Sequence, residues 1–126
     1  MDSSKTKPLD LLDKSQISEL RQKKDFRNVL ALSFDWGMMA LGFYIYYAYP
    51  SVITFLVAVI IIGSRQFALA VLAHDGAHNL LFSNLKVNDF VAQWFCAYPI
   101  FQDNRVYRPY HLKHHRYTET DEDPDL

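Results

Sequence analysis

The sequence has one cysteine, four glycines and a net charge of only −1. The single cysteine, Cys96, cannot form a disulfide within the chain. The small net charge gives no electrostatic support for binding nucleic acid, so no nucleic-acid partner is expected. The first 28 residues are too charged to supply the apolar core of a secretory signal peptide. What remains is a chain in which 50% of the residues are hydrophobic, and the long apolar runs lie mostly between residues 28 and 73.

Two of these apolar runs predict a pair of membrane-spanning helices. Residues 29–49 contain one charge, Asp35, and as a helix would be about 31 Å long, enough for a hydrocarbon core of about 30 Å. Residues 51–73 form the second run, interrupted only by Ser-Arg-Gln at 64–66. Several tyrosines before Pro50 resemble an interfacial aromatic belt, and the proline predicts a tight turn. The alternative is a buried helical hairpin of a soluble domain.

The lysines and arginines are unevenly distributed along the chain. Seven of the 13 precede residue 28, and the predicted turn has none. The positive-inside rule therefore predicts that both termini are cytoplasmic and that the turn lies outside. The predicted fold class is an all-α membrane protein, with a transmembrane helical hairpin followed by cytoplasmic and interfacial helices. We divide it into a cytoplasmic segment, 1–28, and a membrane domain, 29–126, whose residues 74–126 lie outside the spans.

All five histidines fall in two short groups, HDGAH at 74–78 and HLKHH at 111–115. Within each group the spacing of three or four residues puts the rings on one face of a helix. Neutral imidazole is the commonest metal-binding side chain, so the groups predict a metal site with no catalytic residue separate from the ligands. Imidazole alone does not choose among iron, zinc, copper and nickel. The alternative is two hydrogen-bonded histidine clusters without a metal. The predicted ligands are His74, His78, His111, His114 and His115.

Residues 79–110 connect the two groups and alternate between apolar and polar side chains. This pattern predicts an amphipathic segment on the membrane surface, with a re-entrant element as the alternative. Pro99 should end this segment, and Pro109 should open the helix that carries the second group. The acidic residues after 117 are interpreted as a solvated loop. The less favoured interpretation is that their carboxylates bond to the metal ligands and orient them.

Asp35 and Arg65 predict an ion pair inside the hairpin. Each lies 15 residues from Pro50, so two antiparallel helices would place both at the same depth, about 22 Å from the turn. Charges inside a membrane usually face the protein interior and pair with each other. Gln66 is a further candidate partner. The alternative is that Arg65 extends to the lipid headgroups without a partner.

Two longer stretches, GSRQFALAVLAHDGAHNLLF and RPYHLKHHRYTETDEDPD, resemble the integral-membrane fatty acid desaturase superfamily. That superfamily is marked by three histidine boxes. HDGAH is similar to the first box, H-x3-H, and HLKHH to the second, H-x2-HH. Asp123-Pro124-Asp125 resembles the acidic motif that often follows. Glu119 departs from the pattern, because many relatives have asparagine there. The resemblance covers residues 28–126.

The resemblance implies oxygen-dependent desaturation of a lipid acyl chain at a di-iron centre, with O2 as co-substrate and ferredoxin or cytochrome b5 as electron donor. Hydroxylases and carotenoid-modifying enzymes share the boxes, so those reactions remain alternatives. The family's centre uses eight or more nitrogen ligands, some from a third box that these residues do not contain. We therefore expect the front half of a desaturase that is inactive alone. The alternative is a non-catalytic membrane remnant, or a subunit that binds metal or lipid.

Overall fold

The computed structural model describes residues 12–20 and 22–126, and these residues contain helices and no strand. Much of the predicted N-terminal segment, residues 1–11 and Arg21, lies outside the described residues, and the division at residue 28 stays a prediction. The elements are α1 (Lys14–Leu20), α2 (Asp25–Ala48), α3 (Val52–Ala77), α4 (Leu85–Val91), a π-helical segment π1 (Ala92–Ala97), a 3₁₀ turn (Tyr98–Ile100) and α5 (Asn104–Tyr117).

The two long helices, α2 and α3, form an antiparallel hairpin. The turn is closed by a capping box in which the Ser51 side chain accepts from the Thr54 backbone N–H and the Thr54 side chain accepts from the Ser51 N–H. Such reciprocal bonds satisfy donors that a helix start otherwise leaves unpaired. The prediction of two long helices is confirmed, with α2 beginning at Asp25 rather than 29 and α3, Val52–Ala77, extending past the predicted span of 51–73.

Both helices of the hairpin expose apolar side chains over most of their surface. Among the described residues, these are the two helices long and apolar enough to cross a membrane. Only 17% of the most apolar window of α2 and 11% of that of α3 are buried within the chain. The core helices of a soluble protein are mostly buried, so this hairpin differs from one.

The best-packed part of the chain lies where the end of α3 meets π1. Its buried apolar residues are small, apart from Leu81 and Phe82 in the loop after α3. Gly76 marks the closest approach, because a Cβ added there would lie 2.3 Å from the Cβ of Ala92. The fold therefore needs a glycine in the last turn of α3. The cluster consists of Ala73, Leu81, Phe82, Ala92, Cys96 and Ala97.

Pro99 and Pro109 were each predicted to mark a boundary, and only Pro99 does. The segment that begins with α4 ends just after Pro99, where Phe101 has a left-handed φ of 61°. Pro109, in contrast, does not open α5 but lies inside it. The helix begins earlier because the Asp103 side chain accepts from the Arg105 N–H at 2.9 Å and caps the helix start.

Candidate metal centre

Four of the five histidines converge between the end of α3 and the face of α5. His74 lies in the last turn of α3, His78 caps that helix, and His111 and His115 lie one turn apart on α5. Each ring offers a nitrogen within 4.8 Å of the others. The Nε2 atom of His111 lies 2.9 Å from Nε2 of His78 and 3.0 Å from Nε2 of His115. Two distant sequence groups therefore form one cluster.

The fifth histidine, His114, faces the acidic tail. Its Nδ1 lies 2.8 Å from a carboxylate oxygen of Asp123 and 3.1 Å from one of Asp125. Asp123 is only 6% exposed and also accepts the backbone N–H groups of Asp125 and Glu119. The interpretation of the tail as a solvated loop is therefore wrong at Asp123. The His114 ring remains close to the cluster, with its centroid 5.8 Å from that of His115.

The surroundings of these histidines shift their pKa values in opposite directions. Burial, followed by the charges of the neighbouring histidines, lowers the pKa of His111 to about 4. Burial also lowers the pKa of His78, with His74 and His115 as further causes. The hydrogen bond to Asp123 raises the pKa of His114. At neutral pH, His78 and His111 are thus in the uncharged form that binds metals.

The four-histidine cluster fits one metal ion. Nitrogen–metal bonds of about 2.1 Å place two ligand atoms on one ion no more than about 4.2 Å apart, so nitrogens within 4.8 Å need only small side-chain movements. His114, Asp123 and Asp125 form a second group of possible ligand atoms within the same limit. These five imidazoles are fewer than the eight or more nitrogens that the resemblance implies for two irons.

Comparison with known proteins supplies the family. The profile described as "Fatty acid desaturase" matches residues 50–126, which is more than half of the chain. The chain belongs to the fatty acid desaturase family. All five histidines lie inside the matched range, whereas Asp35 precedes it. Membership therefore supports a desaturase-like oxidoreductase at the level of the family.

A curated desaturase is similar to part of this chain. The dihydrorhizobitoxine desaturase of Bradyrhizobium elkanii is 42% identical over 71 residues, which are 55% of this chain and 20% of that protein. The chain thus spans about a fifth of the relative's length. No solved structure matches the chain.

The structure also brings together Asp35 and Arg65, the charged residues of the two predicted spans, 29–49 and 51–73. Nη1 of Arg65 donates to Oδ1 of Asp35 at 3.2 Å, and the side chains are 29% and 7% exposed. Gln66 does not join them; its Nε2 donates to the carbonyl of Pro99 at 3.1 Å and so ties α3 to the 3₁₀ turn. The guanidinium of Arg65 also lies 5.6 Å from the centre of the Phe34 ring.

The beginning of α2 holds the loop that follows the first histidine group. A carboxylate oxygen of Asp25 accepts the Ser83 backbone N–H at 2.8 Å and the Ser83 hydroxyl at 3.0 Å. Nδ2 of Asn28 donates to the Leu81 carbonyl at 2.6 Å. Sequence reasoning did not find these contacts, because residues more than 50 positions apart give no local signal of their proximity.

Of two further residues that the sequence analysis missed, one lies beside the ring of His111 and one lies at the end of α3. The ring of Tyr107 stacks on that of His111, with centroids 5.0 Å apart and planes 13° apart. The side chain of Asn88 is fully buried and bonds to three backbone groups around the end of α3. The only signal available for Asn88 was its place in the alternating pattern of residues 79–110, which does not distinguish it from the other polar residues there.

Proposed function

We propose that this chain supplies an iron-binding part of a membrane-bound desaturase that oxidises a lipid acyl chain with O2. The observation that carries the proposal is the convergence of four imidazoles from two helices at one end of an apolar hairpin. Family membership supports the same reaction class. A membrane location suits a substrate that partitions into lipid.

In this proposal His74, His78, His111 and His115 hold iron, and His114 is a fifth ligand or a neighbour of the site. Bound iron would supply oxidation of unactivated C–H bonds by O2, which protein side chains cannot perform. Burial and the neighbouring histidines keep His78 and His111 neutral, and α3 and α5 bring the four imidazoles to a shared point. Asp123 accepts from Nδ1–H of His114, which leaves Nε2 of that ring as the free nitrogen.

We further propose that α2 and α3 span the membrane, with the turn outside and both termini in the cytoplasm. The exposed apolar surface of both helices supports the two spans, and the distribution of lysines and arginines supports the orientation. The segment from α4 to the 3₁₀ turn then lies on the membrane surface, since it exposes the aromatic rings of Phe90, Trp94 and Phe101. The electron donor would be a soluble or membrane-anchored redox protein of the ferredoxin or cytochrome b5 type.

The similarity to dihydrorhizobitoxine desaturase supplies a second candidate for the substrate. That protein is named as a desaturase of dihydrorhizobitoxine, and it shares 42% identity with this chain over the aligned region. A substrate of that kind is thus the alternative to a lipid acyl chain. Hydroxylation in place of desaturation, or a subunit that binds metal without turnover, are the remaining alternatives.

Metal analysis tests the proposal. We expect the chain, purified in detergent after growth with iron, to retain about one iron per chain, because four imidazoles complete one site. His111→Ala should abolish retention, since His111 lies at the centre of the cluster. The matched control is Lys113→Ala, an exposed change on the same helix that leaves all five imidazoles in place. Equal iron content in wild type and His111→Ala would overturn the proposed site.

A further inference from the structure

The backbone carbonyl of Gly76 joins the two helices that carry the histidines. Gly76 lies in the last turn of α3, between His74 and His78. Its carbonyl accepts Nη2–H of Arg108 from α5 at 2.9 Å and Nδ2–H of Asn88 from α4 at 2.9 Å. Carbonyls in the last turn of a helix lack partners within the helix and carry partial negative charge, so a guanidinium is a favourable donor there.

The guanidinium of Arg108 is itself held in place from α4. The same Nη2 donates to Oδ1 of Asp89 at 2.5 Å, and Asn88 also donates to that oxygen at 3.2 Å. Asn88 in turn accepts the backbone N–H groups of Leu81 and Phe82. Arg108 thus contacts α3 and α4 at one point, and that point is tied to the loop after the first histidine group.

The position of Arg108 along α5 links it to the second histidine group. It precedes His111 by three residues and His115 by seven, so all three side chains lie on one face of the helix. A bond from this face to Gly76 therefore fixes both the rotation of α5 and its position along α3. Those two quantities decide whether the imidazoles of the two groups share one point.

We propose that Arg108 is a positioning residue that sets the register between the two histidine groups through the Gly76 carbonyl, with Asp89 holding its guanidinium. The effect of this positioning on metal affinity rests on the proposed metal site. Without this bond, α5 is free to turn or slide against α3, and the nitrogens of His78 and His111 separate.

Arg105 offers a matched control one turn away on the same helix. Its side chain is 74% exposed and bonds to Asp103 and to the Tyr98 hydroxyl. Neither partner belongs to α3 or α4. Arg105→Gln and Arg108→Gln therefore remove the same charge from the same helix, but only the second removes a bond to the Gly76 carbonyl.

The first measurement is a metal-free distance between the two helices. Spin labels are placed at Phe67→Cys on α3 and Lys113→Cys on α5, both exposed, and the chain is reconstituted in lipid nanodiscs. The native Cys96 is buried, and a sample without introduced cysteines gives its background. We expect Arg108→Gln to broaden the distance distribution, Arg105→Gln to leave it unchanged, and Arg108→Lys to restore most of its sharpness. An unchanged distribution in Arg108→Gln overturns the inference.

The second measurement is the affinity for Co²⁺, read from its visible absorption bands. We expect Arg108→Gln to weaken binding about tenfold, the lower end of what loss of outer-shell support costs, and Arg105→Gln to leave binding unchanged. If Arg108→Gln loses helical content, Asp89→Asn takes its place in the distance measurement and should also broaden the distribution. A sharp distribution in Asp89→Asn then overturns the inference. If the wild-type chain binds no Co²⁺, the proposed metal site is wrong, and the distances still decide the role of Arg108.

Discussion

At the scale of single residues, close packing requires a glycine at position 76 but not at position 63, the other glycine of α3. A Cβ at Gly76 would lie 2.3 Å from the Cβ of Ala92, whereas a Cβ at Gly63 meets nothing within 4 Å. We expect Gly76→Ala to destabilise the chain by about 1–3 kcal/mol, as overpacking does. Gly63→Ala, the matched control in the same helix, should be neutral or stabilising, since alanine favours helix. Thermal unfolding in detergent, followed by circular dichroism, measures both.

If the clash with Ala92 causes this loss of stability, a second substitution that removes the clash should restore part of it. Combining Gly76→Ala with Ala92→Gly removes the methyl group that the new Cβ would meet, so the double variant should regain part of the lost stability. Additive effects of the two substitutions would show that the close approach of α3 and π1 is not the cause.

Glu119 supplies a second prediction at this scale. Its φ is 63°, a left-handed conformation that costs most L-residues about 1–2 kcal/mol and that asparagine adopts more readily. We expect Glu119→Asn to raise the unfolding temperature slightly. Glu122→Asn, a nearby exposed position without a positive φ, is the control and should not raise it.

At the scale of elements, an ion pair between Asp35 and Arg65 links α2 to α3. Asp35 is 5% exposed and pairs with Arg65 at 3.2 Å. Because a buried charge without its partner is costly, each single change, Asp35→Asn or Arg65→Gln, should destabilise the chain. The double variant should lose less than the sum, with a coupling of about 0.5–3 kcal/mol. Additive losses in a double-mutant cycle on thermal stability would mean that the pair does not stabilise the hairpin.

The elements also divide into those that the sequence could predict and those that it could not. The hairpin was predictable because apolar runs of spanning length and the turn at Pro50 are local signals. The contact between Asp35 and Arg65 was predictable by geometry, because the two residues are equally far from that turn. The start of α5 was not, because the Asp103 cap outweighed the proline signal at 109. The orientation of His114 depends on a tail folding back onto the helix, which no spacing rule contains.

At the scale of the whole molecule, the number of imidazoles predicts that residues 1–126 are inactive alone. The chain has five histidines, four of which converge, and the resemblance implies eight or more nitrogen ligands for two irons. We expect a host that expresses only these residues to form no new double bond in its lipids, as measured by mass spectrometry of its acyl chains. A new double bond that disappears in His111→Ala would show that five imidazoles are sufficient.

The topology of the molecule decides on which side of the membrane the histidine cluster lies. Seven of the 13 lysines and arginines precede residue 28 and none lies in the turn, so we expect the turn outside and the histidines in the cytoplasm. Val52→Cys, 75% exposed beside the turn, and Thr120→Cys, exposed in the tail, place one thiol at each end of the hairpin. The native Cys96 is buried and should give little background with a membrane-impermeant thiol reagent. In intact cells the reagent should label Val52→Cys and spare Thr120→Cys, and in inside-out vesicles the pattern should reverse. Labelling of Thr120→Cys in intact cells would put the histidines on the outer side, away from cytoplasmic electron donors.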